Sequence, residues 1–551
     1  MRVACFGRPH VQGLLLLAVT AAAYAGTVGA GFVWDDLPLV VLDEATAGLA
    51  HPGRLFLQDL WAQADGGAAS GYHRPLVLLS FALDRAVFGL APGPFHLHSL
   101  AWHLFAVGVL HRLLLRWVAP LPALAGAALF ALHPVQSEAV TWIAARNDPM
   151  AAALLIGALV LLLPRAAGPG RLLAGGLVGL GAMLAKETAL LLPLALLALD
   201  LATSGRPVGG RRHAVAWAAV GLAVGLRLAA GVHRAAWPPP EGWALLADRA
   251  CAVAGTAGAL LAWPWPLSVG RNLEALEPSG PVLVLGIATL ALGSLAVLLP
   301  RPRRRLAAAG LALALLAFLP SVLALADKAL FGERYLYLPM AGLALAVAAA
   351  LPDRGRVSVA CLALAVPWVG IVSLRVPDWH DDVALWSAAR RDTPGAFVDT
   401  SLGHVLRRAG RDREALDRFA AALSGRPPWT EACDPLLETA SVTVSLGEAV
   451  ALANGAAATC RGARFRGHRA ALLAMAGRWD EAVAEARAAP GDPRDRSGLV
   501  LAAWGLAHGD CEPWRALSAR WSGSEPAAPQ VDRILTLGGI PDAATRRAAC
   551  E

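Results

Sequence analysis

From residue 11 to residue 374 the chain is a succession of apolar runs of 14 to 23 residues, each uncharged or nearly so, separated by short polar stretches. A membrane-crossing helix needs about 20 apolar residues, fewer where flanking side chains reach the interface. The pattern therefore predicts an all-α, polytopic membrane bundle. Arginine clusters punctuate the runs at Arg2/Arg8, Arg112/Arg116, Arg165/Arg171, Arg206/Arg211/Arg212, Arg301/Arg303/Arg304/Arg305 and Arg354/Arg356. Short basic loops stay in the cytoplasm. Placing each cluster there gives eleven spans, over 11–33, 95–115, 120–135, 149–164, 172–185, 188–202, 214–231, 281–300, 306–326, 339–352 and 357–375. An odd number with the N-terminus inside puts the C-terminus outside. Val11 to Val33 is 23 residues without a charge, longer than the roughly 7–15 of a signal-peptide core. It is read as an uncleaved first helix, although Val28-Gly29-Ala30 has the small side chains of a cleavage site. Residues 250–269 break the alternation and end in Trp263-Pro264-Trp265-Pro266, so they are read as a re-entrant or interfacial segment. Residues 74–90, with Asp84 and Arg85 inside an apolar pattern, read as an interfacial amphipathic helix.

After residue 376 charges become frequent and no run is long enough to span. The expected organisation is a membrane domain over 1–376 and a soluble domain over 377–551. The second domain carries a repeat. Gly410-Arg411-Asp412-Arg413-Glu414-Ala415 and Gly477-Arg478-Trp479-Asp480-Glu481-Ala482 lie 67 residues apart, close to twice the tetratricopeptide period of about 34. Degenerate units around Leu446-Gly447-Glu448-Ala449 and Gly505 to Trp514 fill the expected places. Such arrays bind peptides or serve as packing modules. Four of the seven cysteines fall here, at 433, 460, 511 and 550. They are either disulfide partners in an oxidising space or buried small hydrophobes.

Composition agrees with the pattern. Of 551 residues, 56% are hydrophobic and 16% charged, against about 45–50% and about 25% in soluble domains. One soluble globule is excluded, and so is disorder. The net charge of +7 sits in loop clusters, which argues for membrane topology rather than nucleic acid. Two lysines, Lys186 and Lys328, stand against 46 arginines, a bias typical of a GC-rich bacterial genome.

Acids gather on the proposed outer side, from Asp35 and Asp36 through Glu138, Asp148 and Glu187 to Glu333, while the proposed cytoplasmic loops hold almost none beyond Asp200 and Asp353. Acids do not set orientation, so this asymmetry independently points to polar chemistry outside. Trp34-Asp35-Asp36 directly follows the first run. Adjacent carboxylates at a membrane surface are costly unless used or solvated; they suit a general base with its helper, or a divalent cation. Arg74 can clamp a phosphate in bidentate fashion. His96, Ser99 and His103 share one helix face, where satisfied polar residues of a bundle interior compete with a zinc cluster of His96, His98 and His103. No Cys or His spacing marks a metal site.

Taken in order, these blocks resemble a known family. They are Phe32-Val33-Trp34-Asp35-Asp36, His73-Arg74-Pro75-Leu76, Phe95-His96-Leu97 with His103, Leu132-His133-Pro134-Val135 with Glu138, Ala145-Arg146-Asn147-Asp148, Ala185-Lys186-Glu187-Thr188 and Glu333-Arg334-Tyr335-Leu336-Tyr337-Leu338-Pro339. Together with the repeats they resemble the transmembrane and tetratricopeptide-repeat-containing family, GT-C glycosyltransferases similar to the protein O-mannosyltransferases. Ser99 stands where that family has Asn, and the repeat array is shorter and more degenerate than in eukaryotic members.

The resemblance implies a GT-C-like bundle with the repeat domain outside, and the composition points to a bacterial inner membrane. It implies transfer of a sugar, typically mannose, from a polyprenyl-phosphate donor to hydroxyls of exported proteins. Asp35 is the expected base, with Asp36 as helper or substitute. Arg334, Arg74 and Lys186 are expected at the donor phosphate. Glu138, Arg146, Asp148, Glu187, Glu333, Tyr335 and His103 are expected to position sugar or acceptor, with Glu138 or Asp148 alternatively orienting Arg146. Two other classes compete. A lipid-linked saccharide polymerase or transporter would carry an internal transmembrane repeat, and a non-catalytic scaffold presenting the repeats would not need Asp35-Asp36 or Glu333-Arg334.

Overall fold

The computed structural model describes the chain except residues 1–7, 50–51, 63–69, 233–241, 273–299, 329, 354, 426–427, 490–495, 521–526 and 551. The regular secondary structure of its described residues is helical apart from one short antiparallel pair, β1 (Arg271–Asn272) with β2 (Leu330–Phe331), in which Arg271 faces Phe331. The residues form two compact units, Met1–Asp392 and Thr393–Glu551.

In the first unit the helices are α1 (Pro9–Tyr24), α2 (Pro75–Phe88), α3 (Pro92–Leu114), α4 (Pro120–Leu132), α5 (Ser137–Thr141), α6 (Asn147–Leu162), α7 (Pro169–Ala185), α8 (Leu192–Ser204), α9 (Gly210–Ala229) and α10 (Gly242–Ala262). They continue with α11 (Arg301–Lys328), α12 (Tyr337–Ala350), α13 (Arg356–Ala363), α14 (Ala365–Arg375) and α15 (Asp382–Asp392). Proline opens α1 to α4 and α7, where its missing N–H costs nothing and its fixed φ suits the first turn.

Five helical stretches are long and apolar enough to cross a membrane: Pro9–Gly29, Ile143–Leu162, Glu187–Ser204, Arg301–Ser321 and Arg356–Trp379. They mark a membrane protein. Leu14, Leu173, Leu315, Val366 and Leu374 on the helix surfaces are exposed, as lipid-facing side chains are. The other expected spans differ for identifiable reasons. Pro120–Leu132 and Pro169–Ala185 are apolar but short, α12 has 14 residues, α3 and α9 carry His and Arg side chains, and all but the last residue of 281–300 lies outside the described residues. The α11–α12 pair is pressed together at glycines: a Cβ on Gly310 would come within 2.6 Å of Gly342 O, and one on Gly342 within 2.5 Å of Ala314 N. Small residues allow this backbone approach where lipid supplies no hydrophobic drive.

Residues 377–392, beyond the change of texture at 376, lie within the first unit, with Trp379 fully buried.

The second unit is a run of short helices: α16 (Ala396–Arg408), α17 (Asp412–Ser424), α18 (Cys433–Thr443), α19 (Leu446–Ala456), α20 (Ala463–Met475), α21 (Trp479–Arg487), α22 (Arg496–His508), α23 (Glu512–Arg520), α24 (Ala527–Leu537) and α25 (Ala543–Ala548). The two hexads build the same turn. Gly410 and Gly477 stand at φ +74° and +76°, a conformation that favours glycine. Arg411 N bonds Leu406 O and Arg478 N bonds Leu473 O, each at 2.9 Å, the long bond of a Schellman ending. Arg411 then forks onto Glu414, and Arg478 onto Glu481, with both bonds at 2.7 Å in each case. Gly403 is needed for packing, since a Cβ there would lie 2.6 Å from the Phe419 ring. The cysteines pair as Cys433–Cys460 and Cys511–Cys550.

Candidate active site

The turn after the first apolar helix sends two adjacent carboxylates in different directions. Trp34 stands at φ +52°, which costs a bulky residue roughly 1–3 kcal/mol and persists only where surroundings enforce it. Here they do. The Trp34 ring stacks on Trp142 at 4.6 Å, and the Trp34 backbone N–H donates to Asp382 Oδ1 at 2.7 Å. His96 bridges the carbonyls of Gly31 and Thr141 at 3.1 and 2.9 Å, and Gly31 N donates to His380 O at 2.8 Å. Beyond this kink Asp36 is fully buried, accepting from Val33 N at 3.0 Å and Ala144 N at 2.7 Å. Burial pushes its carboxyl well above the usual range, and the two N–H bonds pull the other way. Asp35 instead lines a cavity.

That cavity has a volume of about 300 Å³ and is walled by Asp35, Trp61, Tyr72, Arg74, Trp142, Lys186, Glu187, Arg227, Ser321, Arg334 and Tyr335 among others. Its charges are mostly tied in pairs. Arg74 Nε and Nη2 donate to Glu187 at 3.0 and 2.6 Å. Burial alone would lower the Arg74 pKa, but Glu187 outweighs it and the net shift is upward. Lys186 Nζ donates to Asp148 Oδ1 at 2.6 Å. Arg334 is bonded through Nη1 and its backbone N–H to Glu138. Its guanidinium lies 4.9 Å from the Trp142 ring centre and 4.8 Å from that of Tyr335, a cation–π cradle. Here too burial, which lowers the pKa, is outweighed, by Tyr335 and Glu138, so Arg334 stays firmly cationic.

A separate apolar groove of about 50 Å³ is lined by three of the same elements. Helix α11 gives Pro320 and Ser321 to the cavity and Leu313 and Ala317 to the groove; the 187–204 helix gives Glu187 and Thr188, then Leu191 and Ala195; Arg334 and Tyr335 are followed by Leu338 and Ala341. Steps of four residues correspond to about 6 Å along a helix.

The structure thus brings Asp35, Arg74, Lys186, Glu187, Arg334 and Tyr335 to one cavity, with Glu138 and Asp148 behind it as ion-pair partners. Others lie elsewhere. Arg146 is fully buried against α2 and α3, 2.6 Å from Asp84 and bonded to Ser99, Ser80 and the Phe95 carbonyl. It pairs with neither Glu138 nor Asp148, because both carboxylates are taken by Arg334 and Lys186. His103 sits in the core between Tyr337 OH at 2.6 Å and Ala131 O at 3.1 Å. Glu333 is fully buried behind the cavity, accepting from Ser268 N at 2.5 Å and Arg271 Nη2 at 3.3 Å. His98 bonds Asp84 at 2.7 Å, so His96, His98 and His103 each serve a different partner. Among the described residues no three His, Cys, Asp or Glu side chains gather as a metal-ligand set.

Part of the chain is similar to known proteins. Protein O-mannosyl-transferase Tmtc2 of Drosophila melanogaster is 35% identical over 139 residues, covering 24% of this chain and 15% of the relative. The curated proteins that this chain is similar to are protein O-mannosyl-transferases. Protein O-mannosyl-transferase Tmtc1 of Drosophila melanogaster is 33% identical over 135 residues, covering 24% and 16%. TMTC1 of Mus musculus is 31% identical over 197 residues, covering 33% and 21%. The resemblance read from the motifs is borne out by these transferases, of which this chain spans 15% to 21% of the length. No known family profile matches the chain.

Three contributors were not singled out by the motifs. Asp382 holds the Trp34 turn from beyond the last apolar helix, and Trp61 and Arg227 line the cavity. Only Arg227 carried a signal, as an arginine at the end of a run opposite the clustered ones.

Proposed function

We propose that this chain is a membrane glycosyltransferase of GT-C type that moves a sugar, mannose by analogy with its relatives, from a polyprenyl phosphate to hydroxyl groups of exported proteins. One observation carries the reading: a carboxylate, Asp35, lines a cavity together with Arg74, Lys186, Arg227 and Arg334, and three of the elements that line it also line an apolar groove. A hydroxyl is a weak nucleophile and needs a base within hydrogen-bond reach. In the proposed step Asp35 takes the hydroxyl proton as the oxygen bonds the anomeric carbon. The carbon–oxygen bond to phosphate breaks, and the phosphate leaves with the electron pair. Fixed cations facing that developing charge lower the barrier. Asp36, locked between two backbone N–H groups, keeps the turn that aims Asp35. The apolar groove suits the first part of a prenyl tail.

The second unit is proposed to be a tetratricopeptide-type array on the non-cytoplasmic side that recruits acceptors. Two disulfides in one small helical unit suit an oxidising compartment. Mass spectrometry of exported proteins from cells with and without this chain tests the proposal. Hexose on Ser or Thr that disappears with the chain is the expected result; an unchanged glycoproteome would overturn it.

A further inference from the structure

Three of the four cations lining the cavity are bonded to carboxylates: Arg74 to Glu187, Lys186 to Asp148 and Arg334 to Glu138. Arg227 differs. Among the described residues its guanidinium makes one hydrogen bond, from Nη2 to the Gly71 carbonyl at 2.7 Å. Guanidinium has five donors in a rigid fork, so most remain for a ligand. Arg227 sits in the last turn of α9, half-buried. A cation at the end of an apolar helix without a carboxylate partner marks a functional site by default. The carbonyl it holds belongs to the loop that also carries Tyr72 and Arg74 into the cavity.

An anion approaching Arg74 or Lys186 must compete with a carboxylate already within 3.0 Å. Among the described residues, one approaching Arg227 displaces only a neutral carbonyl, and charge-assisted bonds to phosphate are about twice as strong as neutral ones. Resting on the donor reading above, we propose that Arg227 is the principal phosphate-binding residue of the cavity. The paired cations Arg74, Lys186 and Arg334 chiefly shape the pocket and hold their carboxylates away from the incoming anion.

The test uses the full chain in micelles and three probes: farnesyl phosphate, farnesol and inorganic phosphate. The wild type is expected to prefer farnesyl phosphate to both others. Arg227→Gln should weaken farnesyl phosphate roughly 10- to 100-fold, the span of a charged hydrogen-bonded contact, and leave farnesol unchanged. Arg227→Lys should fall between, keeping the charge and losing the fork. Undiminished farnesyl phosphate binding by Arg227→Gln would overturn the proposal while sparing the donor reading. Equal losses for farnesol and farnesyl phosphate would also overturn it, showing that Arg227 merely anchors the Gly71 loop. A wild type that binds farnesyl phosphate no better than farnesol would overturn the donor reading itself, and one that binds inorganic phosphate equally well would overturn the lipid source.

Discussion

Replacing Asp84 with alanine is expected to destabilise the first unit by about 3–5 kcal/mol, the cost of leaving a buried charge without its partner. The geometry sets that magnitude. The Arg146 side chain is 0% exposed and that of Asp84 6%, with 2.6 Å between Nη1 and Oδ2. The other partners around Arg146 are Ser99 Oγ, Ser80 Oγ, the Phe95 carbonyl and, at 3.3 Å, His98 Nδ1. These bond the guanidinium but do not neutralise it. An exposed pair would be worth only about 0–1 kcal/mol. The change Asp84→Leu combined with Arg146→Met removes both charges, and such replacements are often neutral. Ser80 and Ser99 keep their own bonds to the carbonyls of Val77 and Phe95. Equilibrium unfolding in mixed micelles measures all three proteins, and sugar transfer is measured alongside. A loss below about 1 kcal/mol for Asp84→Ala, or a double variant no better than the single one, would refute the burial argument. A well-folded double variant without transfer would return Arg146 to the chemistry.

Glu333 predicts a pH dependence. Burial, the largest influence, pushes its carboxyl up to about 7 against the lowering effect of Arg271 and Arg375. The folded chain therefore holds this proton more tightly than the unfolded one, so the stabilisation is full below about 4.5 and is lost as pH rises through 7. Glu333→Gln should reduce the fall in unfolding midpoint across that window, and an unaltered slope would count against it. Replacing Cys433 and Cys460 together with alanine should cost about 2–4 kcal/mol, seen as a lower unfolding midpoint of the second unit; insensitivity to the change would argue against a bridge that persists in solution. A reporter active only outside the cytoplasm, fused after Glu551, should be active, whereas activity of a cytosol-only reporter there would sink the eleven-span scheme.

The cavity was legible because its parts share one address. Asp35, Arg74, Lys186, Glu187 and Arg334 each follow or precede an apolar run, and the structure gathers these positions at one cavity. The repeat turns were legible for a local reason: Gly410 and Gly477 mark a left-handed ending that few other residues adopt. What stayed hidden depends on distant contacts. The divergence of Asp35 from Asp36 needs Trp34 at positive φ, which is an outlier for a bulky residue and is enforced by Trp142 and Asp382 more than 100 residues away. The Arg146–Asp84 pair joins a motif residue to a charge inside an amphipathic helix, and sequence proximity instead suggested Glu138 or Asp148. Hydropathy alone does not distinguish a crossing helix from a shorter buried one, and among the described residues five of the eleven runs form helices long and apolar enough to cross.

The most direct test of the account is sugar transfer by purified full-length protein from labelled polyprenyl-phosphate mannose to a Ser/Thr peptide, comparing the wild type with Asp35→Asn and Asp36→Asn. General-base catalysis is worth roughly 10²–10⁴-fold, so Asp35→Asn should lose at least that much while still binding donor. Asp36→Asn should act through the Trp34 turn, with a lower unfolding midpoint accompanying any loss. Near-normal turnover by Asp35→Asn with Asp36 intact would contradict the assignment of the cavity carboxylate as the base.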